Sequence, residues 1–278
     1  MDGRALAERV RADVAEDVRR LGGLGLATVL VGDDPASHLY IGMKQKAADE
    51  AGIRPLDHRL PADTPEEELL ALVARLNEDG DVDGILVQLP LPEHVDEALV
   101  LRTVEPVKDV DGLHPVSAGQ LLLGRPTLVP ATPLGIMALL DEYEVALARK
   151  RAVVVGRSNI VGKPVSQLLL QRNATVTVCH SRTEELERHT LDADVLVAAA
   201  GSPGLVGADM VKVGAAVVDV GQNPTDAGLV GDVDPGAAER AAFITPVPGG
   251  VGPMTIAMLL LNTVRAAHFR RGELRFPS

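Results

Sequence analysis

Short apolar runs alternate with amphipathic stretches along almost the whole chain, and this alternation restricts the fold more than any other feature. Leu26 to Val31 and Gly84 to Leu89 are too short for core helices and predict buried strands, with Ile53 to Leu60 as another. Ala5 to Leu21 reads as a helix stopped by Gly22-Gly23. Ser37 to Ala51, entered through Pro35-Ala36-Ser37 and stopped by Gly52, reads as a second. Thr64 to Asn77 reads as a third, with Thr64 as N-cap, Pro65 at the first helical position and Glu67 completing a capping box. Strands separated by helices form parallel sheets covered on both faces.

The pattern restarts after a proline-rich passage from Pro115 to Pro133. Gly135 to Arg149 predicts a linking helix. Ala152 to Gly156, Thr175 to Cys179, Val195 to Ala199 and Ala216 to Val220 predict four strands of a Rossmann-type unit. A last helix is predicted at about Thr255 to Phe269. The 278 residues suit two domains. The expected division is 1–120 and 121–278, with the last helix packing back on the first domain and the active cleft between the two.

Composition removes several function classes. A single cysteine, Cys179, excludes a disulfide framework and a cysteine-rich metal site, and the paired Asp109 and Asp111 have no third ligand at close spacing to make a metal site, so none is expected. Aromatic residues are 2% of the chain and the net charge is −12, both unfavourable for holding a nucleic acid. Residues 1–120 carry 12 Lys and Arg against 24 Asp and Glu, whereas 121–278 carry 15 of each, so the second half better suits an anionic ligand. The charged N-terminus contains no apolar signal core, and no run of 18 apolar residues occurs, so a cytoplasmic protein without membrane partners is expected.

The chemistry of the second half centres on Val153 to Pro164, which reads as strand, glycine turn and helix start. Gly156 and Ser158 let backbone N–H groups approach a diphosphate, and a helix N-terminus favours its charge. Ser158 stands where the usual fingerprint has its middle glycine. The next strand runs into His180-Ser181-Arg182-Thr183, with no acid to hold a ribose 2′-hydroxyl. Ser181 and Arg182, with Arg157, suit a 2′-phosphate, so the cofactor expected is NADP.

In the first half Tyr40 and Lys44 share a helix face. A flat ring beside an amine can stack a ligand and move a proton. Gln88 is the polar residue at the carboxyl end of an apolar strand, where α/β sheets bind ligands, and its amide needs partners. Asp109 and Asp111 are expected to accept hydrogen bonds from a ligand or to cap a turn. Thr245 to Thr255 holds three prolines and three glycines, a shaped backbone that a flat ligand could approach closely.

Together these segments resemble the bifunctional methylenetetrahydrofolate dehydrogenase/cyclohydrolase family over essentially the whole chain. The resemblance runs through Gly32 to Ser37, Tyr40-x-x-x-Lys44-x-Lys46, Gly84 to Pro92, Lys108 to Pro115, Gly156 to Pro164, Asp219-Val220-Gly221 and Pro246 to Thr255. It implies NADP-dependent oxidation of 5,10-methylenetetrahydrofolate, hydrolysis of the methenyl product to 10-formyltetrahydrofolate, and a homodimer. It implies Lys44 as the catalytic lysine, Gln88 as the amide that orients it, Tyr40 as the stacked ring and Asp111 as the residue that holds the pterin. Val87, Leu89, Pro248, Gly249, Gly250, Gly252, Pro253 and Thr255 fall on its substrate contacts. Gly156, Arg157, Ser158, Ser181 and Gln222 fall on its cofactor contacts, with Arg182 beside them.

Ala131 and Ser117 depart from the residues usual at those positions, and the chain starts at Met1-Asp2-Gly3 where relatives carry a short apolar strand. Alternatives left open by the residues are an enzyme with one of the two activities, a shikimate-dehydrogenase-like NADP enzyme, and a non-catalytic dinucleotide sensor.

Overall fold

The computed structural model describes residues 1–226 and 228–276, which group into two compact units. One comprises Arg9–Ala131 with Ile256–Ser278, and the other Met1–Glu8 with Thr132–Thr255. The changeover at Ala131 lies beyond the division expected near residue 120. From Ile256 onward the last helix groups with the first half of the chain.

The Arg9–Ala131 unit is built on α1 (Gly3–Leu21) from Arg9 onward, β1 (Leu24–Val31), α2 (Pro35–Glu50), β2 (Ile53–Leu60), α3 (Glu66–Glu78), β3 (Gly84–Val87), α4 (Glu97–Thr103) and α5 (Pro115–Leu122). Its three strands pair parallel in the order β2-β1-β3. Every residue of β1 is buried, as a central strand covered on both faces requires. Val29, Val31, Ile85 and Val87 pack with Leu69, Val73 and Leu76 of α3 and with Val100 of α4.

Three local expectations are corrected here. Thr64 is not the cap of α3: the helix starts one residue after Pro65, with no side-chain cap, while the Thr64 carbonyl pairs with His94 Nε2. The proline-rich passage contains a helix, α5, whose N-cap is His114, with Nδ1 accepting from Val116 N–H. β3 stops at Val87, so Gln88 and Leu89 lie just beyond the strand.

The other unit contains α6 (Ala131–Glu142), β4 (Arg151–Val155), α7 (Gly162–Gln171), β5 (Thr175–Cys179), α8 (Leu186–Thr190), β6 (Val195–Ala198), β7 (Ala216–Asp219), β8 (Asn223–Thr225), β9 (Gly228–Val230) and β10 (Phe243–Ile244). Five strands pair parallel in the order β10-β7-β6-β4-β5, and β8 and β9 form a small antiparallel ribbon. Val153, Val155, Leu196, Ala198 and Val217 form the core with Val206, Val211 and Val233. α6 is shorter than expected, ending before the left-handed Glu144.

The final helix, α9 (Val251–Arg270), starts earlier than expected, so Val251 to Thr255 form its first turn rather than a loop. At the chain start, Gly3 N–H donates to the Gly249 carbonyl at 3.0 Å, and a Cβ on Gly3 would overlap the Gly250 carbonyl oxygen.

Candidate active site

α2 carries the candidate base, and three features fix where it points. Asp34 caps the helix, its carboxylate accepting from Ser37 N–H at 2.8 Å and Ser37 Oγ at 2.7 Å; these bonds hold the Asp34 carboxyl below its usual range. Pro35 fills the first helical position, where a missing N–H costs nothing. Gln45 Nε2 donates to the buried Thr28 Oγ1 of β1 at 2.9 Å.

Lys44 Nζ then donates to Gln88 Oε1 at 3.0 Å. Gln88 is held at both ends. Its own N–H donates to the Val29 carbonyl at 2.9 Å, extending the β1–β3 ladder by one bond, and its Nε2 donates to the Leu89 carbonyl at 2.8 Å. The amide therefore presents its oxygen, and only its oxygen, to the amine. Lys44 and Gln88 are both half-buried. Tyr40 is also half-buried, one helical turn before Lys44, while Val87 is buried and Leu89 half-buried.

Asp111 feels the Lys44 charge. Burial raises its carboxyl above the ordinary range, and the nearby ammonium pulls it partly back. The segment that carries Asp111 is folded around Asp109, which is buried and accepts from Leu113 N–H at 3.2 Å, His114 N–H at 2.8 Å and Ser117 Oγ at 3.1 Å. Burial pushes the Asp109 carboxyl up to about 6. Asp109 thus shapes a turn, and Asp111 lies within reach of the Lys44 charge. Ser117, one of the departures, is one of the donors that hold Asp109.

The Thr132–Thr255 unit holds the other predicted residues. At Gly156 φ is +127°, and a Cβ would overlap the Ala199 carbonyl oxygen; at Gly162 it would overlap the Gly156 carbonyl oxygen. Only glycine allows this packing. Ser158 Oγ accepts from Val161 N–H at 3.1 Å and Gly162 N–H at 3.3 Å, closing the turn at the start of α7. This tight glycine cradle at a helix N-terminus fits the diphosphate of a dinucleotide. Arg157, Ser158, Ser181 and Arg182 are exposed, as ligand contacts can be. The 180–183 turn is fixed by Thr183 Oγ1, which accepts from His180 N–H at 2.9 Å, and by His180 Nδ1, which accepts from Arg182 N–H at 3.2 Å.

Gln222 lies against the start of α9, since a Cβ on Gly252 would come within 2.8 Å of its Nε2. Thr255 Oγ1 hydrogen-bonds Thr132 Oγ1 at 2.9 Å. Gly249 and Gly250 are buried and Pro248 is exposed; Gly252, Pro253 and Thr255 are half-buried.

Sequence reasoning passed over Asp232 and Asn223. Their order in the chain reveals nothing, because the contacts that matter join segments far apart. Among the described residues, no group of three or more His, Cys, Asp or Glu is placed to hold a metal ion. No helix among them is long and apolar enough to cross a membrane.

Comparison with known proteins finds relatives over both halves of the chain. Residues 1–111 match the family model for the tetrahydrofolate dehydrogenase/cyclohydrolase catalytic domain, and residues 130–271 match that of its NAD(P)-binding domain. The Bifunctional protein FolD 2 of Geobacter metallireducens is 54% identical over 273 residues, 96% of each chain. The crystal structure of the bifunctional FolD enzyme of Campylobacter jejuni superposes with a TM-score of 0.95 at 48% identity, covering 97% of this chain and 98% of that one. The Trypanosoma brucei enzyme, solved with NADP cofactor and an inhibitor, superposes at 0.93 with 43% identity, covering 98% of this chain and 97% of that one.

Proposed function

The chain belongs to the tetrahydrofolate dehydrogenase/cyclohydrolase family and catalyses both reactions with NADP, and we propose that Lys44, aimed by Gln88, carries the hydrolytic one. The observation that carries this reading is the 3.0 Å bond from Lys44 Nζ to an amide oxygen whose own position is fixed twice by backbone.

The substrate is 5,10-methylenetetrahydrofolate. Oxidation removes a hydride from the bridging carbon, and NADP⁺, when bound, supplies the hydride acceptor. Gly156 and Ser158 would hold the diphosphate, Gln222 would lie beside the cofactor, and Ser181, Arg182 and Arg157 would pair with the 2′-phosphate. The absence of an acid at Ser181-Arg182 supports preference for NADP over NAD.

Hydrolysis adds water to the methenyl carbon. Both water protons must leave the oxygen: one is released to solvent as the hydroxyl adds, and the second leaves as the bond from that carbon to N5 breaks, with N5 taking a proton and the formyl C=O remaining on N10. Lys44 Nζ is the group that moves that proton, and Gln88 keeps the amine from turning away. A neutral amide suits this task better than a carboxylate, because it accepts a hydrogen bond without locking the amine into an ion pair. Asp111 accepts hydrogen bonds from the ring N–H groups of the pterin, and Tyr40 stacks along the folate. The family resemblance also assigns substrate contacts to Val87, Leu89, Pro248, Gly249, Gly250, Gly252, Pro253 and Thr255.

One assay with 5,10-methylenetetrahydrofolate tests cofactor choice: initial rates with NADP⁺ and NAD⁺ at equal concentrations. A clearly higher kcat/KM with NADP⁺ is expected, and equal values would refute the assignment of Ser181 and Arg182. The proposed setting is one-carbon metabolism in the cytoplasm, with 10-formyltetrahydrofolate feeding purine biosynthesis, and the proposed assembly is a homodimer without nucleic-acid or membrane partners.

A further inference from the structure

Asp232 has no solvent exposure, and its carboxylate accepts four hydrogen bonds. Oδ2 takes the N–H groups of Ala200 at 2.6 Å and Gly201 at 2.9 Å; Oδ1 takes Ser202 N–H at 2.9 Å and Asn223 Nδ2 at 2.9 Å. Ala200 to Ser202 is the turn that leaves β6, and Asn223 belongs to the segment that leaves β7. Asp232 is itself tied to β7, since its N–H and that of Val233 donate to Asp219 at 2.9 and 3.0 Å. The packing admits no side chain at Gly221 or Gly231, where a Cβ would overlap Asp232 and Asp219 respectively. One buried carboxylate therefore stitches together the turns at the carboxyl ends of two adjacent parallel strands. Ligands of open α/β sheets bind at that edge. The same β6 turn begins at Ala199, whose carbonyl lies against Gly156 of the diphosphate cradle.

We propose that Asp232 is a positioning residue for the dinucleotide: it holds the β6 and β7 turns in the shape against which NADP binds, without touching the cofactor. The proposal rests on the dinucleotide reading of this unit. Charge-assisted bonds from N–H groups to a carboxylate are stronger than neutral ones, and an asparagine would turn an amide N–H₂ toward donors that need an acceptor.

The test is Asp232→Asn in the full chain, with NADPH binding followed by its fluorescence and both enzymatic rates measured. The expected result is weaker NADPH binding and a KM for NADP⁺ raised about tenfold or more, as losing one or two such bonds implies. Hydrolysis of 5,10-methenyltetrahydrofolate, which uses Lys44 and Gln88 of the other unit, should stay within about twofold. Unchanged NADPH affinity, or parallel loss of both activities in folded protein, would overturn the proposal. Failure of the unsubstituted protein to bind NADPH would instead overturn the dinucleotide reading beneath it. Should Asp232→Asn not fold, Asn223→Ala removes a single donor: a rise of about threefold in NADP⁺ KM with hydrolysis unchanged supports the role, and an unchanged KM refutes it.

Discussion

Gln88 aims Lys44 with one oxygen, so its removal should be felt in rate before stability. A hydrogen bond from a charged donor is worth about 1.5–3 kcal/mol, which corresponds to roughly 10- to 100-fold in rate. Gln88→Ala is expected to slow methenyl hydrolysis by that factor, read as kcat in a stopped assay; an unchanged kcat would remove Gln88 from the mechanism. Asp109 offers a pH test at the same scale. Its carboxyl titrates at about 6 in the fold against an ordinary 3.8, so between those values the folded protein binds the proton more tightly than the unfolded chain. This group's contribution to stability is therefore present in full below about pH 4, is lost as pH rises to about 6, and is level above. Asparagine does not titrate. Wild-type stability minus that of Asp109→Asn, from urea unfolding, should fall across this window and flatten beyond pH 7. A difference independent of pH would show that Asp109 is not perturbed.

Single elements carry two further expectations. α3 ends on the buried Lys108, whose Nζ donates to the carbonyls of Leu76 at 2.9 Å, Asn77 at 2.6 Å and Asp79 at 2.8 Å. Lys108→Met would leave those carbonyls without their donor, at a cost of about 2–4 kcal/mol in urea unfolding. A change below about 0.5 kcal/mol would mean that the helix end finds other partners. At the start of α7, Gly156→Ala places a Cβ on the Ala199 carbonyl at a φ of +127°. NADPH binding should be lost while methenyl hydrolysis persists; normal NADPH affinity in this variant would contradict the cradle. The strands were legible in the sequence because β1, β4, β6 and β7 are short, apolar and centrally buried, so periodicity and burial agree. Helix ends were less so. The chemistry at Thr64-Pro65 fits a capping box, yet Thr64 is drawn into the fold, where its carbonyl meets His94. α5 was hidden because Pro115 reads locally as a breaker, although as a first helical residue behind His114 it is a starter. Glycines and prolines likewise concealed the first turn of α9.

At the scale of the molecule, the sequence offered candidates for the catalytic pair and the cradle but not for the network around Asp232. Lys44, Gln88 and Gly156 sit in local patterns with recognisable chemistry, whereas Asp232 acts only through residues drawn from three separate segments. The proposed homodimer is an expectation from the family resemblance rather than from any surface pattern: sedimentation equilibrium should give twice the 29.2 kDa chain mass at micromolar concentration, and a monomer would refute it. One chain oxidises and then hydrolyses its substrate, and Lys44 is proposed to carry the hydrolysis. The direct measurement is to follow methenyl absorbance with 5,10-methylenetetrahydrofolate and NADP⁺ in wild type and in Lys44→Met. Wild type should show product rising and then decaying faster than it does without enzyme. Lys44→Met should still form methenyl product, more slowly, but clear it no faster than buffer, a loss of roughly 10²- to 10⁴-fold in the enzymatic step. Wild-type clearance by folded Lys44→Met protein would exclude Lys44 from the hydrolysis.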